Sequence, residues 1–202
     1  MPNSIMRTFC GSVLSLAILM AVPAAVAQVT SQSSGGLSDV AYSVLSAYLR
    51  TQLAGGNAWD DIRVGRPGSV LSPRTMRWKV PLTANDKQWM RRDLRGVRDE
   101  TIASFEECAD SSVPIAAQFS LPAPYQIASE NEIESVAKLY ARYPKTLGFV
   151  QFSCVGINAA QSQALFFVER LKCRCAVGKF VLMEKNVAGG WGFKAQLVRW
   201  IS

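Results

Sequence analysis

Lys172-Cys173-Arg174-Cys175 is where residue type and spacing in this chain come closest to chemistry. Cations beside a thiol stabilise the thiolate and raise its reactivity, so dithiol exchange is one reading. Redox pairs ordinarily carry two residues between the cysteines, and here only Arg174 intervenes. Cys108 and Cys154 supply further thiols. Joining Cys173 to Cys175 would close a ring too small for disulfide geometry. The expectation is therefore structural: Cys108 and Cys154 each pair with one member of the Cys173/Cys175 couple. Which goes with which stays open, with a preference for Cys154 bonded to Cys173 or Cys175 across a sheet.

A second group is basic: Arg74, Arg77, Lys79, Lys87, Arg91, Arg92, Arg95 and Arg98, interleaved with Trp78 and Trp89. Arginine forks and aromatic faces hold phosphates, sugars or bases. Arg91, Arg92 and Arg95 are the candidate anion-binding set. Asp86, Asp93 and Asp99 lie in the same segment, so an ion-paired, solvated helix face competes with that reading. The third group is acidic: Glu106, Glu107 and Asp110, then Glu130, Glu132 and Glu134. Carboxylate pairs cleave glycosidic bonds when about 5–9 Å apart across a cleft. Neighbours in sequence fix no such pair, and Ser129 followed by Glu132 reads as a capping box.

The chain contains no histidine. That removes Ser-His and Cys-His catalytic pairs and histidine-based zinc sites. No glycine-rich phosphate loop or calcium-loop spacing is present, and Gly189-Gly190 falls between two strand-like runs, as a hairpin turn does. No catalytic residue, metal ligand set or cofactor is assigned.

Residues 1–27 set where such groups would act. Arg7, an apolar run from Val13 to Val22, Pro23, and Ala25-Val26-Ala27 before Gln28 have the order of a secretory signal peptide. The apolar run is shorter than the roughly 20 residues that span a bilayer, and Cys10 lies before it rather than after it. The expectation is export to the periplasm or beyond, cleavage near Ala27, and a soluble mature chain that keeps Cys108, Cys154, Cys173 and Cys175. An even number of cysteines in an exported chain suggests disulfides. The net charge of +7 favours anionic partners such as phospholipid heads, cell-wall polymers, lipopolysaccharide or nucleic acid, and also serves plain solubility.

The elements that must carry these groups follow from periodicity. Residues 28–36 read as a polar tail and 37–202 as a single α+β domain. Ser38 caps a first helix, in which Val40, Val44 and Tyr48, and Ala41, Leu45 and Leu49, repeat every four residues until Gly55-Gly56. Asp61 to Val64 is a short strand, and Arg66 to Pro73 a loop. Asn85, with Gln88 after it, caps a second helix that Gly96 stops. Phe105 and Ile115 to Phe119 read as buried, and Leu121 to Pro124 as an extended connector. A third helix starts at the Ser129 box and runs to Arg142, where Pro144 blocks it. The final third reads as four antiparallel strands: Phe149–Val155, Ala164–Glu169, Gly178–Lys185 and Trp191–Trp200. In the last, Trp191, Phe193, Ala195 and Leu197 share one buried face, opposite Val198 and Trp200. The fold class is α+β: a four-stranded antiparallel C-terminal sheet packed by about three helices.

Tyr143-Pro144, Gly148-Phe149, Phe152-Ser153-Cys154-Val155-Gly156-Ile157-Asn158, Gln163-Ala164-Leu165, Cys175, Gly178, Val181-Leu182, Lys185, Gly190-Trp191 and Trp200-Ile201-Ser202 form a pattern. It resembles that of a group of exported bacterial proteins of uncharacterised function. The resemblance implies a fold and brings no mechanism. Gly156 and Asn158 suit a bulge or turn, and Trp191 and Trp200 suit packing. A cone-like sheet wrapped by helices, as in nuclear-transport-factor-like domains, fits these elements. The functional expectation is an exported, non-enzymatic binding or structural module. Its partner would be an anionic envelope component or another envelope protein. The alternative is a carboxylate enzyme acting on glycans, and after that a thiol–disulfide protein.

Overall fold

The computed structural model describes residues 36–54, 69–78, 81–122, 124–133, 135–144, 148–172 and 175–202. The expected signal segment, the Asp61–Val64 strand, and Lys79, Glu134, Cys173 and Arg174 lie outside these residues. Among the described residues no helix is long and apolar enough to cross a membrane.

The first helix, α1 (Asp39–Ala54), starts where Ser38 Oγ accepts the Ala41 N–H at 3.2 Å. Its apolar repeats bury Val44, Leu45, Tyr48 and Leu49. Burial goes further than an amphipathic stripe, since Ala41, Tyr42, Ser46 and Ala47 are also enclosed. The helix is therefore covered on more than one side, by the sheet and by the segment from Ile115 to Leu121.

After α1 come β1 (Ser69–Leu71), α2 (Ala84–Asp93), α3 (Asp99–Ala109), β2 (Tyr125–Ile127), one 3-10 turn at Glu130–Glu132 and α4 (Val136–Arg142). The chain ends with β3 (Gly148–Ile157), β4 (Gln163–Lys172), β5 (Cys175–Lys185) and β6 (Trp191–Ile201). The expected four-stranded antiparallel meander is there, and β1 and β2 extend it to a six-stranded mixed sheet in the order β2-β1-β3-β4-β5-β6. Strand β1 runs parallel to both neighbours, so it lies inside the sheet despite its length.

Several local expectations are corrected. The Arg66–Pro73 loop contains β1. Helix α2 is capped by Thr83, not Asn85: the Asp86 N–H reaches Thr83 Oγ1 and Thr83 N–H reaches Asp86 Oδ2, both at 3.1 Å. A Thr-x-x-Asp box satisfies two orphan amides at once, which Asn85 with Gln88 does not displace. Gly96, at φ +84°, ends this unit as expected. The stretch after Val97 forms a full helix, α3. The expected third helix is divided. Glu132 closes its box on Ser129 N–H at 2.8 Å, but the turn stops and Ser135 caps a separate α4 through Lys138 N–H at 3.2 Å. The Ser129 amide, then the Tyr143 hydroxyl and Arg142, hold the Glu132 carboxyl down to about 2.

Each face of the sheet carries its own core. On the α1 face, Phe152 and Phe166 meet Tyr48 edge-on, at centroid distances of 6.2 and 5.3 Å. On the α3 face, Ile102, Phe105 and Ala109 pack with Leu165, Phe167, Phe180 and Leu182, joined by Met90 of α2 and by Leu94 just after it. Trp78 lies on Phe167 and Phe180 at 4.3 and 5.0 Å. Such ring pairs add about 0.5–1.5 kcal/mol each beyond the area they bury.

Bulges decide which residues meet. The β3–β4 register slips between Phe152 and Val155, which turns Cys154 onto the α3 face. Ser153 Oγ takes the Phe167 N–H at 2.8 Å and satisfies the disturbed ladder. Two further slips in the β5–β6 register leave Lys194 and Arg199 as extra residues. They split the expected face of β6. Trp191 and Phe193 lie on the α1 face, opposite Lys185 and Met183, whereas Ala195 and Leu197 lie on the α3 face. Trp200, expected opposite Leu197, shares its face and rests over Gly178, where any side chain would overlap the indole.

Candidate functional site: a polar cleft beside the first helix

The cysteines are arranged differently from expectation. Cys108 and Cys154 bond to each other, with Cα atoms 6.0 Å apart and a sequence separation of 46. Cys175 is exposed and unbonded. The bulge in β3 explains the correction, because it aims Cys154 at α3, where Cys108 sits. Cys175 precedes Ala176 on a strand two places away. Strands lie about 4.8 Å apart, so that span exceeds what a disulfide bridges.

The motif around Gly156 is structural. Helix α3 crosses β3 so closely that a Cβ at Gly156 would overlap the Phe105 backbone. Asn158 Oδ1 accepts the Ser162 and Gln163 N–H groups, both at 2.9 Å, and shapes the hairpin turn. Gln163 reaches the start of α3: its Oε1 accepts Arg98 N–H at 2.8 Å and Thr101 Oγ1–H at 2.9 Å, and its Nε2 donates to Gly96 O at 2.9 Å. A buried amide that makes three of its four hydrogen bonds is a strong positional constraint.

Of the candidate anion set, Arg91 pairs with Asp99 at 2.7 Å. Arg92 grips Asp93 in two bonds of 2.7 and 2.8 Å, and the guanidinium holds the Asp93 carboxyl below its ordinary range. Arg95 is exposed in the turn that follows. Lys87 pairs with Glu106 at 2.6 Å, and Arg199 reaches Asp86 at 2.7 Å while stacking over Trp89. Three of the acids are similarly engaged, whereas Glu107 and Asp110 are exposed. Glu106 also accepts the Leu82 N–H at 3.1 Å, Glu132 serves its cap, and Glu130 lies 3.6 Å from Arg74. Among the described residues no group of His, Cys, Asp and Glu could hold a metal ion.

The open feature lies elsewhere. Asp39, Ser43, Ser46 and Arg50 recur along α1 at four-, three- and four-residue steps, so they form one stripe. Opposite them runs the segment after Ile115. Tyr42 Oη accepts Ala116 N–H at 2.7 Å, Ser46 Oγ accepts Ser120 N–H at 3.0 Å, and Arg50 Nη1 donates to Ser120 O at 2.7 Å. Phe119 anchors the segment edge-on to Tyr42 at 5.3 Å. Between the two walls is a cleft of about 480 Å³ lined by Asp39, Tyr42, Ser43, Ser46, Arg50, Gln118 and Ser120. Its ends carry opposite charges, and Asp39 and Arg50 are separated by about 16 Å of helix at 1.5 Å per residue. Hydroxyls and an amide lie between. Such a surface can recognise a polar chain by hydrogen bonds. Sequence reasoning missed this set, although four polar residues at helical spacing in a largely apolar helix are a readable signal.

Glu169 was also not foreseen. It faces Gly178 across the β4–β5 ladder, next to the place where Trp200 lies. Burial pushes its carboxyl above the usual range. No described residue bonds to it, and no second acid accompanies it. Compared with known proteins, the chain matches no family model, no curated protein and no solved structure.

Proposed function

We propose that this protein is an exported, non-enzymatic binding module of the cell envelope or periplasm, and that it holds its partner in the cleft beside α1. The observation that carries this reading is the contrast between a filled interior and that open polar cleft. Phe152, Phe166, Phe167 and Phe180 fill both sides of the sheet, whereas the cleft is an accessible concave surface built by several hydrogen bonds. The signal-type leader and the Cys108–Cys154 bond support export. The cationic balance supports an anionic or strongly polar envelope polymer as partner. A glycan-cleaving enzyme has less support, since Glu106 and Glu132 are tied into structural bonds and Glu169 has no partner acid. A thiol–disulfide protein has less again, because Cys154 is buried.

The test is titration of the mature chain with soluble peptidoglycan fragments and with lipopolysaccharide oligosaccharide, read by calorimetry. Saturable binding to one of these is expected. Ser43→Trp, at an exposed position in the cleft, should weaken that binding at least tenfold without altering the circular dichroism spectrum. Replacing Arg91, Arg92 and Arg95 together by Ala should leave it unchanged. Failure of both probes to bind, or binding that ignores Ser43→Trp, overturns the assignment.

A further inference from the structure

We infer that two copies of this chain pair through the outer edge of β6, antiparallel about a two-fold axis at Leu197, joining their sheets into one. The two edges of the sheet differ in kind. The β2 edge is three residues long and follows Pro122 and Pro124, and short edges guarded by proline resist strand addition. The β6 edge is eleven residues long, contains no proline, and meets no other strand among the described residues. It also carries Phe193, Val198 and Ile201 at 42%, 45% and 68% exposure. All three lie on the α1 face, because they oppose Met183, Lys179 and Val177. A long apolar edge of this kind is a template for another strand.

What selects a second copy is the symmetry of the bulges. A two-fold pairing sets each residue against its mirror position, and opposed residues must lie on the same face. Lys194 bonds to Glu184 and Arg199 to Asp86, so both extra residues lie on the α3 face. From Phe193 to Ile201 the faces then read the same in either direction around Leu197. Phe193 meets Ile201 of the second copy, Gln196 meets Val198, Ala195 meets Arg199, and Lys194 meets Trp200. Every opposed pair shares a face, no like charges meet, and a cation lies beside an indole. Edge cations usually deter self-association, but here Glu184 and Asp86 already answer both, at 2.9 and 2.7 Å.

The experiment is sedimentation equilibrium of the full chain from micromolar to near-millimolar concentration, with Cys175 kept reduced. A reversible dimer is expected. Phe193→Lys with Ile201→Lys sets lysine against lysine twice and should raise the dissociation constant on the order of 100-fold. Phe193→Glu with Ile201→Lys sets opposite charges together in the stated register and should recover at least tenfold of that loss. Because the substituted positions are exposed, retained circular dichroism confirms the fold. A wild-type chain that stays monomeric overturns the inference, as does a dimer indifferent to the lysine pair. Equal weakening by both double variants overturns the register.

Discussion

The two faces of the sheet are closed by different means. On the α1 face the closure is bulk packing: nearly all of α1 is enclosed, and Tyr48, Phe152 and Phe166 interlock by ring contacts. On the α3 face a packed core is supplemented by a set of point fixings. Gly156 admits the helix backbone, Cys108–Cys154 tethers it, and Gln163 pins its first turn. Packing tolerates local loss by degrees, whereas a fixing acts or fails at one atom. The α3 side should therefore be the side that opens alone.

The largest expected effect breaks that side. Gly156→Val places a side chain where the Phe105 backbone runs and should cost more than about 4 kcal/mol, beyond ordinary overpacking. Hydrogen exchange should show α3 amides losing protection while α1 amides keep theirs; equal loss in both helices would abolish the distinction. Phe166→Ala tests the other face and should cost about 4 kcal/mol in urea unfolding, as for buried aromatics, with α1 and α3 losing protection together. Replacing Cys108 and Cys154 by Ser removes the covalent tether. The expected cost is about 4 kcal/mol by loop-closure entropy, again read most strongly in α3. The smallest effect concerns Glu169. Its carboxyl is raised by burial above an ordinary value of 4.5, so the folded state binds that proton more tightly than the unfolded chain does. This contribution is favourable in acid and is lost as pH rises from the ordinary value through the raised one. Glu169→Gln should therefore raise the melting temperature slightly at pH 7 and flatten its dependence on pH just above that ordinary value.

Much of the fold was legible because its signals are local. The apolar repeats and Ser38 define α1, and alternation with turn residues defines β3 to β6. Strand β1 was not legible, since three residues beside glycine and proline carry no period, and its place between parallel neighbours is set by β3 far along the chain. Helix α3 was obscured by Ser104 and Glu106 between its buried positions; both face partners that folding supplies, Ile157 and Lys87. The disulfide was misassigned because alternation puts Cys154 on the face of Phe152, and one bulge reverses that. The same cause misplaced Trp200. In the cleft, the Asp39-Ser43-Ser46-Arg50 spacing was present in the sequence, but its opposite wall at Gln118 and Ser120 comes from a segment without periodicity. Register slips and distant backbone partners are thus what the residues alone conceal.

The enclosure of α1 has a consequence for the order of assembly. The helix is among the first described segments to leave the ribosome, yet its cover comes from β3 to β6 and the Ile115–Leu121 segment, made much later. Until the last hairpin exists, Leu45, Tyr48 and Leu49 have no sheet to lie against. The chain cannot acquire its native core from the front end as it grows, and contacts of such long range slow the search that follows. The α1 core is therefore completed only when synthesis is nearly over.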